Sequence, residues 1–371
     1  MTGRPPAAGD DPGPSGRAAA AERAVTARHV RRLWGLPGTA LGVVSWPPVP
    51  NHALFGRWHY WWQAHLLDCL VDAELRAPDA TRRRRIRAQA RTPFLRNGFR
   101  WRNRYYDDMS WLALALLRAD ATVGSGHRRA VDRLTTEMLD AWSDEEGGGI
   151  PWRRRDAFKN APANGPAAIL LARTGHVERA AAMVDWMDGL LRHPETDLVR
   201  DGVLHGEVNP DIWTYNQGTV LGAELELVRR TGRDPRGIHR LVAAVDRRLT
   251  VGGVLIGHGG ADPGLFTGIL ARYLAQIALH LPGTTAADAD ARATAARLLV
   301  DSADAAWAHR VESTGGPLFG ADWTTPAPLP GARREKDPGL PEHDLAVQLS
   351  AWMLLEAAAA VTGRAGGTAS A

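Results

Sequence analysis

The sequence predicts an all-α fold, twelve helices paired as six helical hairpins and closed into a ring of inner helices inside a ring of outer ones. Three observations carry that expectation. The chain has 371 residues, roughly two to three times an ordinary domain, so it holds either two domains or one large single-core fold. Apolar residues recur with a helical period between Pro and Gly breaks, and no alternating run reads as a strand of more than a few residues. Alternate helices also differ in kind. The even-numbered ones are apolar on nearly all faces, as inner helices must be, and the odd-numbered ones keep a polar face for water.

Taken in order, the periodicity places helices at Ala21–Trp34, Trp58–Arg76, Asp79–Arg96, Asp107–Ala119, His127–Trp142 and Ala161–Arg173. The second half continues with His176–Arg192, Thr214–Arg230, Arg236–Leu249, Leu265–Leu281, Ala287–His309 and His343–Val361. The fourth, with Met109-Ser110-Trp111-Leu112-Ala113-Leu114, is almost wholly apolar, whereas the third carries Arg82-Arg83-Arg84-Arg85 and the ninth ends in Asp246-Arg247-Arg248. Small residues recur near the starts of the inner set, at Gly165, Gly218, Gly222, Gly264 and Gly268. They permit close helix approach despite a propensity cost of up to ~1 kcal/mol. Long polar segments rich in Gly and Trp precede these helices, at 144–160, 200–213 and 252–263, and read as site-forming loops at one end of the ring.

Composition narrows the function classes. A content of 44% hydrophobic and 23% charged residues is globular, and no uninterrupted apolar stretch approaches the ~20 residues of a membrane span. A net charge of +4 raises the question of a nucleic-acid partner. Only Lys159 and Lys336 are lysines among the 45 basic residues, however, and the one dense arginine run reads as a solvated helix face, so no nucleic-acid partner is expected. Cys69 is the single cysteine and lies in an apolar run, which excludes an intrachain disulfide and a multi-cysteine metal site. Residues 1–18 read as a disordered tail without a secretory signal, 19–363 as one domain and 364–371 as a flexible tail, with the cytoplasm the expected location. Neither a metal nor a cofactor is expected, and composition leaves the oligomeric state open.

The sharpest local feature is Tyr105-Tyr106-Asp107-Asp108-Met109-Ser110-Trp111. Two acids at a helix start fit capping and the helix dipole. They also fit two carboxyl groups in one cavity, where like-charge repulsion splits their titration as glycoside hydrolysis requires. The residues alone leave both readings open. A magnesium motif of the DDxxD kind needs an acid where Trp111 stands. The 14 tryptophans, against 5 Tyr and 6 Phe, divide into helical ones expected in the core (Trp142, Trp186, Trp307, Trp352) and loop ones, Trp152 and Trp213, suited to stacking on sugar rings. No histidine pair suggests zinc, and there is no GxSxG elbow, P-loop or GxGxxG.

Several segments together resemble glycoside hydrolase family 76, the α-1,6-mannanases. They are Tyr106-Asp107-Asp108-Met109-Ser110-Trp111, Gly147-Gly148-Gly149-Ile150-Pro151-Trp152 leading to Lys159-Asn160-Ala161-Pro162-Ala163-Asn164-Gly165, Trp213-Thr214-Tyr215-Asn216-Gln217-Gly218, and Phe266-Thr267-Gly268-Ile269 with Arg272-Tyr273-Leu274. The resemblance implies an (α/α)6 barrel and a retaining cleavage of α-1,6-mannosidic bonds, most simply within a chain, so that α-mannan or a manno-oligosaccharide is the expected partner. It implies Asp107 as nucleophile and Asp108 as acid/base. Tyr106, Trp152, Lys159, Asn160, Asn164, Trp213, Tyr215, Asn216, Gln217 and Phe266 would bind substrate. Thr267 departs from the lysine that relatives often carry there. Transglycosylation on the same barrel, or a barrel that binds carbohydrate without turnover, are the alternatives.

Overall fold

The structure is a computed structural model describing residues 11–329 and 343–368. Its helices are α1 (Gly13–His29), a single turn α2 (Pro50–Ala53), α3 (Tyr60–Arg76), α4 (Ala80–Arg96), α5 (Tyr106–Val123), α6 (Arg128–Asp140) and α7 (Ala161–Arg173). There follow α8 (Val177–Trp186, prolonged by a π turn to Leu191), α9 (Thr214–Thr231), α10 (Arg236–Arg248), α11 (Phe266–His280), α12 (Ala286–Ala308) and α13 (Leu345–Thr368).

α3, α5, α7, α9, α11 and α13 pack each on the next, and α13 returns to α3, which closes the inner ring. Against them lie α1, α4, α6, α8, α10 and α12. This is an (α/α)6 barrel. Sequence explains which ring each helix joins. In α7 every residue from Ala161 to Ala172 is buried. In α6 only Ala130, Val131, Leu134, Thr135 and Met138 are, a single stripe facing inward. The inner helices approach as closely as their glycines allow: a Cβ on Gly218 would lie 2.8 Å from the Leu270 Cα, and one on Gly268 2.5 Å from the Ser350 Cα. α13 is long and apolar enough to cross a membrane by length and composition, but 83% of that window is buried inside the barrel.

The short strands are all antiparallel. β1 (Val30–Arg31) pairs with β2 (Leu41–Gly42), β3 (Lys159–Asn160) with β4 (Arg200–Leu204), β4 with β5 (Glu207–Ile212), β6 (Thr250–Val251) with β7 (Val254–Leu255), and β8 (Val311–Ser313) with β9 (Gly316–Leu318). Segment 200–213, expected as a loop, is therefore a hairpin whose edge strand β3 delivers Asn160 to the start of α7.

The ends of the domain differ from expectation. The first helix starts at Gly13 and stops at His29 rather than spanning Ala21–Trp34, because Pro14 suits a helix start and an alanine-rich run follows. Residues 13–18 are thus helical, not tail, and α13 continues through Thr368. Residues 1–10 and 369–371 of the expected tails lie outside the described residues.

The inner helices start at one mouth of the barrel and end at the other. Near the far end a paired ionic cluster fills the axis. Arg272 meets Asp68 at 3.0 Å and Asp72 at 2.8 Å, and Arg118 meets Asp68 at 2.7 Å and also Asp72. Arg76 joins Glu356 at 2.9 Å and Glu22 at 3.1 Å. Cys69 is buried among these groups as a free thiol.

Candidate active site

At the near mouth, where the inner helices begin, lies a cavity of about 690 Å³. Asp107 and Asp108 open α5 just after its N-cap, Tyr105, and both line this cavity. Asp107 Oδ1 accepts the Asp108 backbone N–H at 2.8 Å, and Oδ2 accepts the Trp152 indole N–H at 3.0 Å. Asp108 Oδ2 accepts from Asn103 Nδ2. The Asn103 amide is oriented by its own oxygen, which accepts the Tyr105 N–H at 2.9 Å.

No arginine or lysine stands among the groups acting most strongly on either acid. Burial raises Asp107 to about 7 against the opposing pull of its two hydrogen bonds. Burial, reinforced by the charge of Asp107, raises Asp108 well above the usual carboxylate range. Near neutrality the pair can therefore hold one proton between them, with Asp108 its natural bearer.

The aromatic walls come from three other inner-helix entries. Tyr215 stacks on Phe266 with centroids 3.8 Å apart and planes at 5°, and Trp213 meets the same Phe266 edge-on at 5.6 Å. Trp152 and Asn160 close the opposite side. Among the expected substrate residues, then, Trp152, Asn160, Trp213, Tyr215 and Phe266 line the cavity.

The other expected substrate residues do not. Lys159 is buried, and its ammonium donates to the carbonyls of Ser143 (2.9 Å), Glu145 (2.5 Å) and Gly148 (2.8 Å), tying together the glycine loop behind Trp152. Asn164 makes paired bonds to the Ile150 N–H and carbonyl, each 2.8 Å. Gln217 does the same for Val199 at 2.7 and 2.8 Å. Tyr106 is buried beneath the Arg154 guanidinium, and Asn216 reaches Asp201 at 3.3 Å from within the core. Lys159, Asn164 and Gln217 thus position loops behind the wall, whereas Asn216 holds the cavity acid Asp201. Thr267 likewise turns inward, its hydroxyl donating to the Ile256 carbonyl at 2.7 Å.

Two cavity acids escaped the sequence reading. Asp262 accepts both the Trp61 and Trp62 indole N–H groups, at 3.1 and 2.8 Å, and lies 3.3 Å from His59 Nδ1. Burial alone would raise it, but His59 and the two indoles hold it below the usual range. Asp201, on β4, is pushed up to about 6 by burial. His59, Tyr60, Trp61, Tyr105, Trp111 and Phe158 also line the cavity. The signal for Asp262 was present as the adjacent Trp61-Trp62, two indole donors on one helix in need of an acceptor. Among the described residues, no group of three or more His, Cys, Asp or Glu side chains is placed to hold a metal.

The α-1,6-mannanase GH76A of Salegentibacter sp. HEL1_6 is similar over nearly its whole length. Identity is 30%, 94% of this chain and 99% of that one are covered, and the TM-score is 0.79. An inactive variant of that enzyme, with two successive aspartates changed to asparagine, is known in complex with α-1,6-mannotriose (29% identity, 94% and 99% coverage, TM-score 0.79). A protein of Listeria innocua is 26% identical over 95% of this chain and 98% of its own, with a TM-score of 0.80. No curated protein matches closely enough to be compared. The profile of glycosyl hydrolase family 76 matches residues 17–364, and the chain belongs to that family.

Proposed function

We propose that the protein hydrolyses α-1,6-mannan from within the chain, with retention at the anomeric carbon. The observation that carries the reading is the pair Asp107 and Asp108, adjacent in one cavity, without a cationic partner among the described residues and unlike in hydrogen bonding. Asp107 is the nucleophile. The two N–H groups it accepts favour its ionised form, so it can attack the anomeric carbon while Asp108 gives its proton to the departing glycosidic oxygen. The Asn103 bond occupies one Asp108 oxygen and leaves the other to carry that proton. In the second half, the ionised Asp108 takes a proton from water, the water oxygen attacks the anomeric carbon, and the bond to Asp107 breaks. The stacked Tyr215 and Phe266, with Trp213 and Trp152, offer flat faces to sugar rings, while Asn160, Asp201 and Asp262 offer polar groups to hydroxyls.

The test is hydrolysis of α-1,6-manno-oligosaccharides followed by NMR of the first-formed anomer. Asp107→Asn and Asp108→Asn should each lower kcat by about 10³-fold or more. Unimpaired cleavage by both variants, or an inverted first product, overturns the proposal.

A further inference from the structure

Outside the cavity, the largest aromatic exposures sit on either side of the C-terminal end of α4. Trp34 is 57% exposed and Phe99 70% exposed. Both have left-handed backbones, with φ of 49° and 57°, a conformation that is strained in a bulky residue and clusters at functional sites. Exposed aromatics in strained backbone are not explained by core packing, since neither ring is in the core.

Both rings are nevertheless held. The Trp34 indole N–H donates to the Leu54 carbonyl at 3.0 Å, and the Arg96 guanidinium lies 5.9 Å from its centroid. Arg96 is itself fixed, bonding the Phe55 carbonyl at 2.9 and 2.6 Å. The Phe99 loop is pinned by Asn97, whose amide donates to the carbonyls of Arg100 (2.8 Å) and Arg102 (3.0 Å). A ring that is exposed but rigid is a preorganised stacking platform, because little side-chain entropy remains to be lost on binding.

The two platforms connect to the catalytic cavity through aromatic neighbours. The same Arg96 guanidinium covers Trp58 at 5.2 Å, and Trp58 meets Tyr60 edge-on at 5.6 Å. From the other side, Phe99 packs on Phe94 at 5.9 Å, Phe94 on Trp101 at 4.8 Å, and the Trp101 carbonyl accepts the Tyr60 hydroxyl. Both tracks converge on Tyr60, which lines the cavity.

The geometry points to a second glycan-binding surface, made by Trp34 and Phe99, that grips the flexible polysaccharide beyond the catalytic cavity. The ligand class is a long neutral polysaccharide whose sugar rings present apolar C–H faces, and the inference rests on the reading of the substrate as α-1,6-mannan. A 1,6 linkage carries an extra rotatable bond, so a chain held only at the scissile bond is loosely presented. Rigid external platforms reduce the ordering cost of each encounter.

The test compares wild type with Trp34→Ala, Phe99→Ala and Trp34→Phe in two assays. One is retardation in native gels containing linear α-1,6-mannan, with each change made in Asp107→Asn/Asp108→Asn protein so that neither the polymer nor the α-1,6-mannotriose added to occupy the cavity is cleaved. The other is turnover of mannotriose. Each alanine variant should bind the polymer about three- to tenfold more weakly, the ratio expected for one lost stacking contact, Trp34→Phe should recover part of the loss, and mannotriose turnover should be unchanged. Unchanged retardation, a doubly substituted parent that is not retarded, or a parallel fall in the mannotriose turnover of the active forms overturns the inference. So does a sedimentation change on Trp34→Ala, which would make the patch a contact between copies of the chain. Trp34-dependent retardation without hydrolysis of either substrate would overturn the proposed reaction and leave the platform standing.

Discussion

The two ends of the barrel bury the same kind of group and treat it in opposite ways. Near the far end, burial alone would raise Asp68, but Arg118 and Arg272 outweigh it and hold the carboxylate below its usual range. At the near mouth, burial acts on Asp107 and Asp108 with only neutral N–H donors to oppose it, and both rise. The difference lies in the partner supplied rather than in the acid. Two arginines make Asp68 a structural anion, one does not suffice for Glu356, which burial raises despite Arg76, and without any arginine burial raises Asp107 and Asp108 as proton carriers must be raised.

That contrast can be broken first where the effect is largest. Removing one cation from the far cluster leaves Asp68 and Asp72 sharing Arg118 alone, one buried negative charge in excess, so Arg272→Met should cost about 3–5 kcal/mol in denaturant unfolding. A loss under 1 kcal/mol would show that the cluster is wet and the contrast false. A smaller effect is expected at the near mouth from Trp152→Phe, which removes an N–H donor that favours ionised Asp107. The acidic limb of the kcat/KM profile, set by ionisation of a group at about 7, should move to higher pH, with kcat down about tenfold. A limb that stays in place would detach it from Asp107.

The smallest effect is on stability. The folded Asp107 value exceeds its ordinary 3.8, so wild type loses stability as pH rises from about 4 to about 7 and holds a constant deficit above that. Asp107→Asn removes a charge the fold resists, and its Tm should exceed that of wild type by about 1–3 °C at pH 8, with the gap closing toward pH 4. An equal gap at both pH values would assign the change to packing instead.

The same contrast explains what could be read from sequence. The ring architecture was legible because inner and outer helices bury different numbers of faces; the two adjacent acids that open an apolar helix stood out as a candidate pair, but their spacing fitted capping as well, and only the family resemblance pointed to catalysis. Motif membership did not separate residues facing the cavity from those facing its supports. Lys159, Asn164 and Gln217 lie in the same motifs as Asn160 and Tyr215, but their polar ends meet backbone groups of loops that only the folded chain brings near. Asp262 was missed for the converse reason. Its partners Trp61 and Trp62 are about 200 residues away in sequence, so the acceptor and its donors meet only when the ring is complete.

Ring closure has a consequence for how the protein is made. The seam joins the last helix to the first: α13 packs on both α1 and α3, and Arg28 near the end of α1 donates to the carbonyls of Thr314, Gly316 and Pro317. A nascent chain emerging from its N-terminus displays the apolar flanks of α3 and α11 until α13 arrives, since no earlier helix can occupy that gap. Closure is the contact of longest sequence separation in the molecule's inner ring, and its loop-closure entropy falls only once α13 has been made. A barrel still lacking α13 is thus aggregation-exposed, and the hazard ends when the 24 residues of α13 fill the gap.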